Sequence, residues 1–264
     1  MIAEPLTPRD PAPAVSRSIR ILGILADAHG APMALSDIAR AIGAAKSSTS
    51  NLCVVLEDGG LIQRRGSGYV LGRRCVELGG AYLATFDQVR EFYTLCLESE
   101  LLSRELVQIA VLDGTDVLYL ARHEGRAPLR LSAAIGDRYP AAATAVGNAL
   151  LALADPEEVG RRFGGLDVFP RLTDQSTRDV AELQQKLAAT RSRGWAVDDG
   201  GVHPSVYGVA MVIPPRSGGE QPIAIGCSLM KPSMTEQRLE AVLHELRGAV
   251  RALSNPLTDL GRES

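Results

Sequence analysis

The side chains best able to do chemistry form one short cluster, and the rest stand apart. Lys46, Ser47, Ser48, Ser50 and Asn51 lie almost side by side, and Arg64 and Arg65 follow in the next segment. Short hydroxyl and amide side chains beside cations suit the recognition of phosphates and base edges. His29, His123, His203 and His244 are isolated, and Cys53, Cys75, Cys96 and Cys227 lack the close pairing of a zinc or redox motif. No glycine-rich phosphate loop or nucleophile elbow occurs. An enzyme is therefore not indicated, and neither a metal nor a cofactor is implied. The scattered cysteines fit buried thiols in a reducing cytosol, a cytoplasmic setting.

The elements that must hold the polar cluster lie between Leu35 and Leu71. Leu35, Ile38, Ala39 and Ile42 recur at helical intervals, so the spacing predicts a first helix over Ser36–Ile42, with Ser36 as its N-cap. Gly43 supplies the reversal into a second helix, from Lys46 to Asp58. Thr49, Leu52, Val55 and Leu56 are its expected inward stripe, which leaves Lys46, Ser47, Ser48, Ser50 and Asn51 on or beside the outer face. Leu61-Ile62 and Tyr69–Leu71 read as two β runs joined across Gln63–Gly68, a glycine-rich tip carrying Arg64 and Arg65. Two helices and a basic hairpin in that order define a winged helix-turn-helix, whose second helix enters a major groove end-first while the wing lies on phosphates. Ser36, at the head of the first helix, belongs to the same DNA-facing set.

At 264 residues and 45% hydrophobic, the chain can hold two domains. Its net charge of −3 carries no global basic signature, but the charge is uneven. The first 80 residues hold nine Lys/Arg against seven Asp/Glu, and the remainder is acidic. Residues 1–14 are Pro-rich, without a long apolar run, and are expected to be a disordered arm rather than a signal or anchor, with no membrane partner. The expected order is a winged domain over residues 15–72, a linker helix over 73–86, an effector domain over 87–254 and a tail over 255–264.

Val15–His29 reads as an amphipathic helix, with Val15, Ile19, Leu22 and Ala26 on one stripe and Ile21 and Leu25 beside it. Val76, Leu78, Leu83, Val89, Phe92, Leu95, Leu102 and Leu106 mark helical stretches thereafter. Leu106–Leu112 and Val117–Ala121 flank the tight-turn dipeptide Asp113-Gly114. A third strand is expected over Leu129–Ala133, followed by a loop over Gly136–Pro140 and an Ala-rich helix starting at Thr144. Asp179–Arg193 forms a helix ended by Gly194, and Trp195–Val197 leads to the Asp198–Gly201 turn. Val206–Ile213 and Pro222–Leu229 are strands. The capping box Ser233-x-x-Glu236 opens the last helix. The fold class is α+β, an antiparallel sheet with flanking helices.

Motif by motif, from Val15 to Ser254, the chain resembles the IclR-type bacterial transcriptional regulators. The resemblance runs through VSRSIRILGILADAHGAPMALSDIARAIGAAKSSTSNLCVVLEDGGLIQRRGSGYVLGRRCVELG. It continues in VLDGTDVLYLAR, LRLSAAIGDRYPAAATAVGNALLA and RSRGWAVDDG. It implies a dimerising winged domain, a linker helix and a GAF-like effector domain that commonly pairs dimers into tetramers. The implied partners are operator DNA, a small effector and further copies of the chain.

The same resemblance implies an effector cavity lined by Leu131, Tyr139, Ala145, Val146, Asp198, Val206, Gly208 and Cys227. The backbone of Ala143–Val146 lies near a helix N-terminus, which favours an anionic ligand such as a carboxylate. Asp198 either accepts a ligand hydroxyl or only caps the turn into Gly200-Gly201. Cys227 is either lining or packed core. The recognition helix departs from the family in having Asn51 where Arg is usual, which exchanges a phosphate or guanine contact for one suited to adenine. Gly147-Asn148 replaces the usual Gly-Lys, and Gly208 stands where Cys is frequent, so a different ligand is expected.

Overall fold

The computed structural model describes residues 10–125, 133–165, 168–216 and 219–254. They divide between Thr85 and Phe86 into two compact units.

In the first unit α1 (Pro13–Asp27), α2 (Leu35–Ile42) and α3 (Lys46–Asp58) precede a hairpin of β1 (Ile62–Arg65) and β2 (Gly68–Leu71), followed by α4 (Arg74–Leu83). Its core joins Ile21 and Leu25 of α1, Ile38 and Ile42 of α2, Cys53 and Leu56 of α3, and Ile62 and Tyr69 of the hairpin. Gly43 ends α2 at φ 66°, a left-handed conformation that costs glycine little, and turns the chain into α3. This is the expected winged helix-turn-helix.

Several local expectations are corrected. Helix α1 starts at Pro13, whose fixed φ suits a first turn, and not at Val15. Its buried positions are Ile21 and Leu25, while Val15 and Ile19 are exposed. Helix α2 begins at Leu35 with Ala34 at the N-cap, so Ser36 lies within the helix and caps nothing. The inward stripe of α3 is Thr49, Cys53 and Leu56 with Leu52 packed beside them, while Val55 is 69% exposed. Thr49 enters the core because its Oγ1 donates back to the Ala45 carbonyl at 3.0 Å. The wing is tighter than expected: Arg64 pairs with Tyr69 and Arg65 with Gly68, leaving Gly66-Ser67 as the turn.

The second unit opens with α5 (Asp87–Glu98). Its sheet runs β5-β4-β3-β8-β7-β6, with every neighbouring pair antiparallel. The strands are β3 (Leu106–Asp113), β4 (Asp116–His123), β5 (Arg138–Pro140), β6 (Ala196–Asp199), β7 (Val206–Ile213) and β8 (Ile223–Met230). β7 and β8 are buried at successive positions, as strands are when helices cover both faces. Ala110, Val117, Tyr119, Ala210 and Ala224 pack under α6 (Ala145–Leu151) and α8 (Val180–Arg193). α5 packs on β4 and on α9 (Glu236–Leu253), which itself lies against β7 and β8.

Here β5 occupies what reads as loop in the sequence, and α7 (Pro156–Arg162) is an additional helix. The last helix is capped by Thr235, whose Oγ1 accepts from the Arg238 N–H at 3.2 Å; Ser233 instead donates to the Met230 carbonyl. The expected strand over Leu129–Ala133 lies, save for Ala133, outside the described residues. Among the described residues no helix is long and apolar enough to cross a membrane.

Candidate functional site

Two sites emerge, one in each unit. On the first, Ser36, Lys46, Ser47, Ser48 and Asn51 are exposed, and Ser50 is half-buried. All but Ser36 lie in the first two turns of α3, whose remaining face is anchored by Thr49, Cys53 and Leu56. Burial pushes the Cys53 thiol pKa upward, in keeping with a packed thiol. Arg64 and Arg65 stand on β1 rather than at the hairpin tip. The Arg64 guanidinium lies 5.2 Å from the centre of the Tyr69 ring, and its Nε reaches Glu57 at 3.4 Å. Arg65 donates to the Gly30 carbonyl, also at 3.4 Å. Exposed contacts of this length are weak, so both cations can exchange them for phosphates.

The second site is a cavity under α6. Thr144 caps this helix, its Oγ1 accepting from the Gly147 N–H at 3.0 Å. That leaves the N–H groups of Ala145 and Val146, in the first turn, without intrahelical acceptors. Tyr139, Ala145, Val146, Asp198, Val206, Gly208 and Cys227 all line the cavity, so seven of the eight expected residues come together. The eighth, Leu131, lies outside the described residues. The empty space, counted out into open solvent, is about 610 Å³.

Sequence reading missed Gln108, Tyr119, Thr144, His203 and Ser228 in this lining. Alternation along β3 and β4 could have placed Gln108 and Tyr119 on one face. Nothing in the sequence marks His203, which sits in the connection between β6 and β7.

Helix and sheet approach closely because of two glycines. A Cβ at Gly226 would lie 2.7 Å from Val146 Cγ1, inside van der Waals contact. One at Gly208 would stand 3.4 Å from the Cβ atoms of both Ala145 and Asp198. Tyr119 and Tyr139 meet edge to face across the lining, with ring centres 6.1 Å apart.

Asp198 is buried, and burial raises its pKa from 3.8 to about 6 against the opposing effect of hydrogen bonds from Gly201 and Val202 and of Lys186 and Lys231. Burial also holds the Tyr119 hydroxyl and the Cys227 thiol protonated. No group of three or more metal-ligating side chains occurs among the described residues.

A winged helix-turn-helix followed by an α+β unit with an antiparallel sheet defines a class of DNA-binding regulator. Residues 14–66 match the IclR helix-turn-helix domain, and residues 82–255 match the bacterial transcriptional regulator IclR C-terminal domain. The chain belongs to the IclR family of DNA-binding transcriptional regulators. It is 24% identical over 245 residues to the HTH-type transcriptional regulator KdgR of Escherichia coli, covering 91% of this chain and 92% of that protein. It is 26% identical over 191 residues to the transcriptional repressor IclR of the same organism, covering 70% and 68%. Among solved structures, an IclR homologue from Microbacterium hydrocarbonoxydans complexed with 4-hydroxybenzoate superposes with a TM-score of 0.74 at 25% identity. That match covers 91% of this chain and 97% of the other. The relatives are transcriptional regulators and not enzymes.

Proposed function

We propose that this regulator is a repressor that binds operator DNA as a dimer and whose hold on DNA changes when a small carboxylate-bearing metabolite enters the cavity under α6. Lys46, Ser47, Ser48, Ser50 and Asn51 read the groove, Ser36 touches its edge, and Arg64 and Arg65 hold the backbone. The effector contacts Leu131, Tyr139, Ala145, Val146, Asp198, Val206, Gly208 and Cys227. Residues 73–86 act as the linker that passes the ligand's preference to the winged domain. Operator binding puts the protein in the cytoplasm.

The observation that carries the sensing role is the convergence of seven expected residues on one cavity. The repressor named among the relatives supports the sign, and the homologue complexed with 4-hydroxybenzoate supports a carboxylate. Exposed Val15 and Ile19 on α1, and Val76 and Leu78 on α4, are apolar surface available for self-association into dimers and pairs of dimers.

A mobility-shift assay on the DNA upstream of the gene, repeated with a panel of small organic acids, tests the whole reading. A retarded band that one acid shifts in midpoint is the expected result. Absence of retardation on that DNA, together with footprints nowhere else, would overturn operator binding.

A further inference from the structure

We propose that His203 is a specificity-determining residue of this cavity, whose ring Nε2–H meets an oxygen of the bound acid. The inference rests on reading the cavity as a carboxylate site.

No Lys or Arg lines the cavity among the described residues. The donors that the described lining offers a carboxylate are neutral groups. Gln108 is engaged, its Nε2 donating to the Ala133 carbonyl at 3.3 Å. Asp198 offers only lone pairs when ionised, and its Oδ1 already accepts from Gly201.

His203 is different. Its Nδ1 accepts from the Ser205 N–H at 3.3 Å. A ring nitrogen that accepts carries no proton, so the neutral ring bears its proton on Nε2. The same bond sets the ring's orientation.

The loop carrying the ring is fixed from several sides. Thr173 Oγ1 donates to the Gly200 carbonyl at 2.6 Å, and Ser176 Oγ to the Gly201 carbonyl at 2.7 Å. The Lys231 N–H donates to the Ser205 carbonyl at 2.9 Å, and the Val206 N–H to that of His203 at 3.0 Å. A donor held this way needs no reordering when a ligand arrives, which is where binding otherwise loses affinity.

The competing role is that the ring only braces the turn through Ser205, and two substitutions separate the roles. In His203→Asn the Oδ1 atom can take the place of Nδ1 and keep the brace, but nothing reaches as far as Nε2. In His203→Gln the amide N–H group can take the place of Nε2, and the brace is lost.

Calorimetric titration of the full chain with pyruvate, lactate, benzoate and 4-hydroxybenzoate supplies the test. For the tightest of the four, His203→Asn should weaken binding about tenfold or more, and His203→Gln by no more than about threefold. In the free wild-type protein, 15N shifts of the His203 ring should report a protonated Nε2. Any other order of the two variants, or a protonated Nδ1, overturns the assignment. Wild-type protein that binds none of the four acids overturns the carboxylate reading itself, and the role of His203 falls with it.

Discussion

Asp198 Oδ1 accepts a hydrogen bond from the Gly201 N–H at 2.5 Å while the same side chain lines the cavity under α6. One carboxylate thus closes the turn after β6 and lines the cavity. Its environment has a measurable consequence. Because burial raises the folded-state pKa from 3.8 to about 6, the native protein holds a proton there that the unfolded chain releases.

The stability this gives is full below about pH 4 and is lost as pH rises through about 6. Wild-type protein should therefore fall in stability by roughly 3 kcal/mol, relative to Asp198→Asn, between those limits. Glu91 and Glu182, with lowered pKa values, act in the opposite direction but cancel in the comparison. Urea denaturation of both proteins from pH 4 to pH 7 checks this. Parallel curves would show that folding leaves the Asp198 pKa at its unfolded value.

Arg64 and Arg65 test the wing. Their partners in the free protein, a ring face, a 3.4 Å contact to Glu57 and a 3.4 Å bond to Gly30, are individually weak. Replacing either arginine by Ala should leave the fold intact, weaken binding about equally on all DNA and lower the salt slope by about one. Binding isotherms on operator and random duplexes at several salt concentrations measure both quantities. A change in base preference with an intact slope would remove the wing from the backbone.

Asn51 makes the opposite prediction. It is exposed in the second turn of α3, where a side chain can reach base edges. Asn51→Ala should cost about 1–3 kcal/mol on the cognate operator and much less on random DNA. Equal losses on both would make it a phosphate contact.

The winged unit was legible because its signals are local: helical spacing, one glycine with left-handed φ and a short hairpin. The errors arose where spacing alone is degenerate. Val55 and Cys53 both fit a helical stripe, and only packing against Ile21 and Ile38 decides that Cys53 is inside. Ser36 has the chemistry of a cap, yet the helix begins one residue earlier, so its hydroxyl has no free amide to serve. α7 escaped because Pro156–Arg162 buries only Val159, which leaves no period to read. In the cavity seven residues tied to motifs come together, whereas Ser228 enters through strand pairing and His203 through the path of a loop. Such placement depends on partners distant in sequence, which local patterning does not encode.

The two cavity glycines make the last prediction, because they separate packing from ligand space. A Cβ at Gly226 meets Val146 Cγ1 at 2.7 Å, so Gly226→Ala must displace that methyl, by a change of the Val146 rotamer or a shift of α6, and should cost about 1–3 kcal/mol. Val146→Ala removes the obstructing methyl, and the double variant should recover part of that loss, a coupling that a thermodynamic cycle measures. Gly208→Ala is milder, since its Cβ finds Ala145 and Asp198 at 3.4 Å, near ordinary contact distance. That variant should fold and bind operator DNA as wild type does while losing affinity for an acid bound against Ala145. Calorimetry for the acid and mobility shift for the operator provide the two readings. Undiminished acid binding in Gly208→Ala would move the ligand away from the floor formed by β6 and β7.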